Sequence, residues 1–511
     1  MNKIRACLVL FLLVLSSSAF AAEPPKDEAK PKYPRGKWTL SKETTFITEP
    51  LDKDGYPDYI SALNKRLRAD VTPENNANVL IWQALGPHPD KSNLPPEYFK
   101  WLGIEAPPEK GDYYIRLQDF LKDERGKRIE LNFRHLERAQ KRPWQEKDFP
   151  ELAAWLKANE KPLTLLIDAS RRPQYFNPLV PSNPSVSVRG LIGATMPSAH
   201  ECRQMTNALT ARAMLLTEKK AYEEAWQTLL ACHRLARMVG RGGCLIEGLV
   251  GMGMENLTSL ADLAFLDWSG PNATQIEAYL KDLQALPPPA SLADKVDLLE
   301  RMEFLEALLM IDRDGPKVLE EFKGVLDEKL LQGIDWDAAM RYGNEWFDRL
   351  TAALSAKEPL SRGAKIKGVY EARANSRFNA DWDLEALQKE PPDVRGRHVG
   401  QLVARAFFPN CVKIQGLADR SQQFFTNTVI AFALARYQRQ HGLYPKQLSE
   451  LAPKYLPQAP LDIFTGKALI YQPGANGYLF YSVGINGTDD GGRNSEDDPP
   501  GDDLRVRMPL P

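Results

Sequence analysis

A glycine- and aspartate-rich segment near the C-terminus has the residue types that bind a hard cation. The stretch YSVGINGTDDGG, residues 481–492, ends an alternating strand pattern, and seven acidic residues and one arginine lie between positions 486 and 503. Ca²⁺ takes about six to eight oxygens from carboxylates, amide side chains and backbone carbonyls. We therefore predict a calcium site in this loop, to which Asp489, Asp490 and Asp502 can contribute ligands.

A solvated acidic loop is the alternative interpretation of the same segment. The run Glu496-Asp497-Asp498 and the following Pro499-Pro500-Gly501 are compatible with disorder. The spacing is not that of an EF-hand. Asp312-Arg313-Asp314-Gly315 begins like one, but its glycine comes too early and no glutamate closes the loop, which favours a loop between helices.

The sequence contains none of the short motifs that usually identify an enzyme. His200-Glu201 is not followed by a second histidine at position 204, and no Gly-x-Ser-x-Gly, phosphate-binding glycine loop or Cys-x-x-Cys is present. Cys232 and His233 are sequence neighbours, so on a helix they point apart. We interpret His233 and His441 as packing or helix-end residues. Scattered catalytic residues leave no such signature, so an exported hydrolase of unrecognised type is the alternative function.

One irregular stretch could line a ligand groove. Asp168, Arg171-Arg172 and Tyr175-Phe176 lie together in a proline-rich context. They could bind an anionic or sugar ligand, or they could form a loop packed against helices. The second interpretation is favoured.

The composition bounds the class of protein. A chain of 511 residues predicts two or three domains, and 43% hydrophobic and 26% charged residues are ordinary for a globular protein. A net charge of −1 argues against a nucleic-acid partner, since nucleic-acid binders usually carry a basic excess.

The N-terminus has the pattern of a secretory signal peptide. Lys3 and Arg5 precede an apolar run from Ala6 to Leu15, and small residues lead to a cleavage point near Ala21. The run is about half as long as a spanning helix, so no stable membrane span is expected after cleavage. Residues 1–21 are thus predicted to be a signal peptide and 22–50 a solvated linker, and the protein is expected to be periplasmic or secreted.

Residues 51–415 are predicted to form a mainly helical domain, an irregular array of helical hairpins. The clearest hairpin spans Arg203 to Val239, and its segment from Ala221 to Trp226 resembles a helix of the tetratricopeptide repeat, without a copy at that repeat's period. The glycines of the next apolar helix, Gly248, Gly251 and Gly253, indicate close helix packing. Residues 390–397, with two prolines and a glycine, are interpreted as a loop.

Residues 416–511 are predicted to form a small α+β domain. A long helix reaches His441, and strand patterns follow at 468–472, 477–483 and 504–507. The segments ALARYQRQHGLYPKQLSEL, PLDIFTGKALIYQ, GYLFYSVGINGTDDGG and DDL, in this order, resemble the globular part of type II secretion major pseudopilins.

That resemblance implies a fold and two further metal ligands. In those pseudopilins a loop of the form Ser-x-Gly-x-Asp/Asn-Gly…Asp binds calcium and holds the last strand of the sheet. Asn486 stands at the position of the first side-chain ligand and Asp503 at that of the later aspartate. The chain departs from a pilin because a long helical region precedes the domain and the N-terminus is a conventional signal peptide. The central region, including AYEEAWQTLLACHRLARMVGRGGCLIEGLVG, resembles large uncharacterised exported bacterial proteins.

The expected function is therefore non-catalytic. The helical region would bind an envelope protein or polymer, and the calcium-stabilised pilin-like domain would mediate contact or assembly. The mature chain keeps few cysteines, so disulfides are not its framework. Cys202 and Cys232 could face each other across the hairpin and form a bridge, or be buried as small apolar residues.

Overall fold

The fold is described from a computed structural model of the chain. The structure describes residues 36–510 apart from 90–93, 122–132, 182–189, 195–196, 320–321, 323–325, 327, 377, 379–383 and 475. The predicted signal peptide, residues 1–21, and the first part of the predicted linker lie outside these residues.

Most of the described chain is helical. The helices up to residue 284 are α1 (Tyr59–Leu67), α2 (Ala77–Leu85), α3 (Pro96–Leu102), α4 (Leu117–Phe120), α5 (Phe133–Lys141), α6 (Pro150–Ala158), α7 (Glu160–Ala169), α8 (Pro197–Glu218), α9 (Tyr222–Gly240), α10 (Leu245–Ser269) and α11 (Ala273–Gln284). The later helices are α12 (Leu292–Lys295), α13 (Arg301–Asp314), α14 (Glu328–Leu331), α15 (Trp336–Leu354), α16 (Pro359–Ala374), α17 (Leu384–Leu387), α18 (Pro392–Phe407) and α19 (Cys411–His441). A π-helical turn, Val296–Glu300, joins α12 to α13, and short 3₁₀ turns lie at Leu191–Gly193, Pro316–Val318 and Leu448–Leu451.

The predicted hairpin is confirmed as the pair α8 and α9. Lys220, with φ of 60°, makes the tight turn between them. The next helix, α10, begins with a capping box in which Cys244 and Glu247 satisfy each other's backbone N–H groups. Trp226 of α9 is 1% exposed and its ring lies 5.8 Å from that of Phe265, so α9 and α10 pack along their apolar faces.

A small antiparallel sheet follows the long helix α19, as the strand patterns predicted. Its strands are β1 (Ile470–Pro473), β2 (Tyr478–Ser482) and β3 (Leu504–Met508), in the order β1-β2-β3. The β2–β3 register places Ser482 opposite Leu504. In β3 buried residues alternate with more exposed ones, whereas four of the five residues of β2 are buried, and Phe480 and Val506 belong to the core.

The described residues form two hydrophobic cores, and the limits of these cores differ from the predicted domain limits. One core combines residues between 77 and 283 with residues between 430 and 508. The other combines residues 56–63 with residues between 292 and 411, and it also includes Leu179, Leu191, Cys244 and Leu245. The C-terminal sheet therefore shares a core with the first half of the helical region, and Arg436 of α19 pairs with Glu277 of α11 at 2.5 Å.

The described part of the predicted linker is docked. Gly36 N and Trp38 Nε1 donate to the carboxylate of Asp312, at 2.7 and 3.2 Å, and Thr44 and Thr45 are fully buried. The linker prediction for 22–50 is therefore wrong over 36–50. The proline- and lysine-rich composition ends near residue 37, and an indole and two buried threonines anchor the residues beyond it.

Three other local predictions are corrected or resolved by the structure. Residues 390–397 are not a loop, because α18 begins at Pro392. Asp312 and Asp314 lie in the last turn of α13, and Gly315 caps it with φ of 84°. Cys202 and Cys232 are both buried free thiols, so no Cys202–Cys232 bridge is present. Within the described part of the chain, every helix is too short or too polar to cross a bilayer.

Candidate metal centre

The acidic loop lies at the end of the sheet where β2 and β3 meet. It spans residues 483–503, and the pairing of Ser482 with Leu504 holds its two ends together. Asn427 of α19 donates from Nδ2 to the carbonyl of Leu504 at 2.8 Å. Val483 N donates to the buried carboxylate of Asp462 at 2.9 Å. The loop therefore has fixed ends on both the sheet and the long helix.

A glycine at the start of the loop permits a close approach by its end. Gly484 has φ of +69°, and a Cβ there would lie 2.4 Å from the carbonyl oxygen of Asp502 and 2.8 Å from its Oδ1. No other residue fits this position without displacing Asp502. The glycine thus brings residue 502 over the end of β2.

Three of the five predicted metal-site residues converge. Asp490, Asp502 and Asp503 each offer a carboxylate oxygen, and these oxygens all lie within 4.8 Å of one another. Calcium–oxygen distances are about 2.3–2.6 Å, so oxygens on opposite sides of one ion are roughly 5 Å apart. The three carboxylates are therefore close enough to share a calcium ion.

Backbone donors orient the carboxylates but leave two oxygens unsatisfied. Asp490 Oδ2 accepts from Asp502 N at 3.1 Å, Asp502 Oδ2 from Asn486 N at 3.1 Å, and Asp503 Oδ2 from Gly492 N at 2.7 Å. Asp502 Oδ1 and Asp503 Oδ1 are buried and have no hydrogen-bond partner among the described residues. An unsatisfied buried carboxylate oxygen is costly, and a bound cation would satisfy both.

Two guanidinium groups border the three carboxylates, and one of them, that of Arg420, donates from Nη1 to the carbonyl of Asp502 at 3.4 Å. Arg493 Nη2 lies 3.8 Å from Asp490 Oδ1, at long range for an ion pair, while Arg505 pairs with Asp497. Asp503 is fully buried. Burial raises the pKa of the Asp503 carboxyl, and the charges of Asp490 and Asp489 raise it further. A cation beside these carboxylates would favour their charged forms and lower this pKa.

The side chains of Asn486 and Asp489 lie outside the cluster formed by Asp490, Asp502 and Asp503. Asn486 Oδ1 accepts from Thr488 N at 2.6 Å, and its Nδ2 is 3.4 Å from Asp490 Oδ2, so its side chain borders the cluster. Asp489 turns away, and its Oδ1 accepts from the hydroxyl of Tyr481 at 3.1 Å. Burial, together with that carboxylate, raises the pKa of Tyr481 to about 12.

A buried ionic cluster in the helical region was missed by sequence reasoning. His233 of α9 is fully buried between two carboxylates of α10, with Nδ1 3.0 Å from Glu255 and Nε2 2.7 Å from Asp262. Arg237 adds a second bond to Glu255 at 2.9 Å. Burial alone would lower the pKa of His233, but the two carboxylates outweigh it and raise the pKa to about 10. The available signal was the presence of acidic residues, Glu255 and Asp262 among them, in the largely apolar sequence of α10.

Three glutamates on the π turn and α13 form a second group that the sequence did not reveal. Glu300, Glu303 and Glu306 are partly buried, and Glu306 Oε2 accepts from Leu191 N at 2.7 Å. Burial raises the pKa of Glu300 to about 7 and that of Glu306 to about 8, and it raises the pKa of Glu303 well above its usual value. Their spacing of three residues places them on one face of the helix.

The stretch around Arg171 is a packed loop, as favoured. Phe176 is 2% exposed, and Arg172 Nη1 donates to the carbonyls of Pro73 and Asn76 at 2.7 and 2.8 Å. Arg171 pairs with Asp168 at the surface. The ring of Phe176 is buried, and the guanidinium groups of Arg171 and Arg172 both have partners within the chain.

Two cavities open on the surface of the helical region. One, of about 630 Å³, lies between residues 111–115 and 157–161, and the other, of about 690 Å³, lies between residues 42–50 and α1. Neither is lined by His233 or by the three glutamates of the π turn and α13. The groups with perturbed pKa values and these cavities therefore lie in different places.

No protein-family model, curated protein or solved structure shows a significant match to the chain. The function of the chain must therefore be inferred from its own residues.

Proposed function

We propose that this chain is a non-catalytic exported protein of the cell envelope. Its helical region serves as a binding or scaffold region for an envelope protein or polymer. Its C-terminal helix and sheet, α19 with β1–β3, serve as a pilin-like interaction module stabilised by calcium. Nucleic acid is not a proposed partner, since the net charge is −1.

The observation that carries the calcium proposal is the convergence of three carboxylates with two unsatisfied oxygens. Asp490, Asp502 and Asp503 would hold the ion, and the backbone carbonyls of the loop and water would complete its shell. Because Asp503 directly precedes β3, an ion there would fasten the last strand of the sheet to the loop that leaves β2.

The pilin-like part of the proposal is supported by the order of elements. A helix of 31 residues precedes a three-stranded antiparallel sheet, and the acidic loop lies between its last two strands. This is the order that the resemblance to pseudopilins implies. In this chain the module also packs on α11, so contact with other molecules would use the faces that remain exposed.

The calcium proposal is tested on the mature chain, residues 22–511, because the sheet shares a core with the helices. An ion that binds only the folded state at about 100 times its Kd adds ~2.7 kcal/mol to the free energy of unfolding. We expect calcium to raise the Tm relative to chelator and to slow tryptic cleavage after Arg493, which lies within the loop.

Two variants distinguish calcium binding at a specific site from general screening of the negative charge of the loop by calcium. Asp503→Asn should abolish both calcium effects, whereas Asp489→Asn, which removes the same charge from a residue outside the converging three, should retain them. Two results would show that residues 483–503 form a solvated acidic loop. One is equal protection of both variants by calcium against melting and cleavage, and the other is no effect of calcium on the unaltered chain.

Export is tested separately. Cleavage after Ala21 predicts a mature N-terminus at Ala22, which N-terminal sequencing of the expressed protein checks. Recovery of the intact N-terminus from the cytoplasmic fraction would contradict the envelope assignment without bearing on calcium.

A hydrolase is the second candidate, and one observation favours it. Glu300 lies in a π-helical turn, a feature common at functional sites, and the raised pKa values of Glu300 and Glu306 suit general acids near neutral pH. Turnover of chromogenic esters or glycosides by the mature chain, abolished by Glu300→Gln, would support it. Equal rates with the unaltered chain and the variant would reject it.

A further inference from the structure

The cavity of about 690 Å³ has the dimensions of a small-molecule site. It opens between the segment 42–50 and α1, and the buried Met302 of α13 forms its floor. Pockets for small organic ligands usually enclose about 300–1,000 Å³. This cavity lies in the helical region and involves none of the residues of the calcium loop.

One side of the cavity is apolar and its rim is cationic. Phe46, Ile47 and Met302 provide apolar surface, and the exposed Lys42, Lys65 and Arg66 provide positive charge. None of these three cations takes part in an ion pair among the described residues. Glu49 also lines the cavity, so the rim has a net charge of about +2, three cations less one carboxylate.

The apolar wall is built on a strained turn. Ile47 N donates to the carbonyl of Thr45 at 2.7 Å, and Phe46, between them, has φ of +64°. This is a γ-turn with positive φ, a rare and strained conformation for a bulky residue. Strained backbone of this kind concentrates at ligand sites, where the surrounding structure holds it in place.

Buried hydrogen bonds hold the strained turn. The carbonyl of Thr45 accepts from the hydroxyl of Tyr59 at 2.9 Å, and its Oγ1 donates to the carbonyl of Ile47 at 2.8 Å. Asn344 Nδ2 donates to the carbonyl of Thr44 at 2.8 Å. The donors Tyr59 and Asn344 belong to two helices, α1 and α15, so the turn is fixed to the body of the protein.

The ring of Phe46 is also fixed. The guanidinium carbon of Arg301 lies 4.6 Å from the ring centroid, and Arg301 is 2% exposed. Asp297 and Asp348 bind the guanidinium group at 2.6 and 2.7 Å and balance its charge. Phe46 thus has a fixed orientation as a cavity wall. The two aspartates balance the charge of Arg301, so Arg301 is not one of the cations that would bind a ligand.

We infer that this cavity binds a small amphipathic anion, a carboxylate attached to an apolar chain. The carboxylate would lie at the rim, near Lys42, Lys65 and Arg66, and the apolar chain would lie against Phe46, Ile47 and Met302. The cationic rim repels a cationic amphiphile. An inorganic anion has no apolar surface that could pack against the apolar wall.

The test is isothermal titration of the mature chain with dodecanoate below its micelle concentration. Dodecyl maltoside supplies the same chain without charge, and inorganic phosphate supplies charge without the chain. The variant Lys65→Gln/Arg66→Gln removes two rim cations. The matched control, Lys446→Gln/Lys467→Gln, removes two exposed lysines near the sheet.

Dodecanoate is expected to bind at one site, and the rim variant should weaken binding at least tenfold while the control variant stays within twofold. Ala62→Phe, which fills the cavity from α1, should also weaken binding. Equal affinity for dodecyl maltoside, unchanged affinity in the rim variant, or no heat up to the solubility limit would each overturn the inference. None of these results depends on calcium.

Discussion

His233 and Asp262 form a hydrogen bond of 2.7 Å, Nε2 to Oδ2, although both side chains are fully buried. The pair joins α9 to α10, and the ring of Phe425 from α19 packs edge-on against the imidazole, with ring centroids 5.6 Å apart. A charged pair in the core is stable only while both partners are present. Removal of one partner leaves an uncompensated charge in a low-dielectric site.

We therefore expect His233→Leu to lower the free energy of unfolding by about 3–5 kcal/mol. The double variant His233→Leu/Asp262→Leu should lose less than this, because no unpaired carboxylate remains. Denaturant unfolding of the three proteins measures the difference. A double variant less stable than the single variant would show that packing, not charge, sets the cost.

The acidic loop, residues 483–503, illustrates how much of a candidate metal site can be predicted from the sequence. The strands and the acidic loop could be predicted, since alternation and Asp/Gly content are local signals. Which aspartates converge could not, because Gly491 and Gly492 have φ of +70° and +81° and turn the chain between Asp490 and Asp503. Neighbouring aspartates consequently diverge, with Asp490 toward the cluster and Asp489 toward Tyr481.

The start of α18 shows why a local signal can mislead. Two prolines and Gly396 indicated a loop, yet Pro392 occupies the first turn of a helix, where its missing N–H is not needed. Gly396 serves packing, since a Cβ there would lie 2.1 Å from the carbonyl of Asp335. From the local sequence alone, a glycine that permits two distant segments to pack closely cannot be distinguished from a glycine that interrupts a helix.

The proposed calcium site predicts a pH dependence of the calcium effect on stability. Burial and neighbouring charge raise the pKa of Asp503, so without metal the folded chain takes up a proton more readily than the unfolded chain. Without calcium, stability from this group is greatest at low pH and falls as the pH rises through the raised pKa. Calcium binds the ionised form and reverses the loss. The calcium-induced rise in Tm should therefore be larger at about pH 7 than at about pH 4.

Melting curves with calcium and with chelator at the two pH values check this prediction. Asp503→Asn should show neither the calcium effect nor its pH dependence. A calcium effect that is as large in acid as at neutral pH would place the ion elsewhere.

The glutamate group on α13 predicts a loss of stability toward alkaline pH. The pKa of Glu306 is about 8 in the folded chain against a usual value of 4.5, because burial disfavours its charge. Between these values the folded chain holds a proton that the unfolded chain releases, so the free energy of unfolding falls as the pH rises. Partial exposure of Glu306 moderates the effect, which we expect to be on the order of 2 kcal/mol.

Glu306→Gln removes this titration and keeps an acceptor for Leu191 N. The variant should be more stable than the unaltered chain at about pH 9 and no more stable at about pH 5. Parallel stability curves for the two proteins across that range would show that Glu306 is ionised throughout.

The strained turn at Phe46 can be tested by a pair of substitutions. Phe46→Ala and Phe46→Gly both remove the ring and its contact with Arg301, so they differ only in backbone preference. Glycine adopts positive φ without strain, whereas alanine does not. We expect Phe46→Gly to be more stable than Phe46→Ala by about 1 kcal/mol, measured by thermal or denaturant unfolding. Equal or reversed stabilities would mean that the left-handed turn is not retained in solution.

The last prediction concerns two glycines of α10 that look alike in the sequence. A Cβ on Gly251 would lie 2.6 Å from the carbonyl of Ala236 and 2.8 Å from the Cα of Gly240, both backbone atoms of α9. A Cβ on Gly253 would come no closer than 3.9 Å to any neighbour, the Nε of Arg203. Only the first glycine is therefore required by the contact between α9 and α10.

Gly251→Ala should force the two helices apart and destabilise the chain by about 1–3 kcal/mol. Gly253→Ala should be neutral or stabilising by up to about 1 kcal/mol, because alanine has the higher helix propensity. The difference in Tm between the two variants isolates the helix contact from helix propensity, since both substitutions add the same methyl group to the same helix. Shifts of equal sign and size would contradict the close approach of α9 and α10 at Gly251.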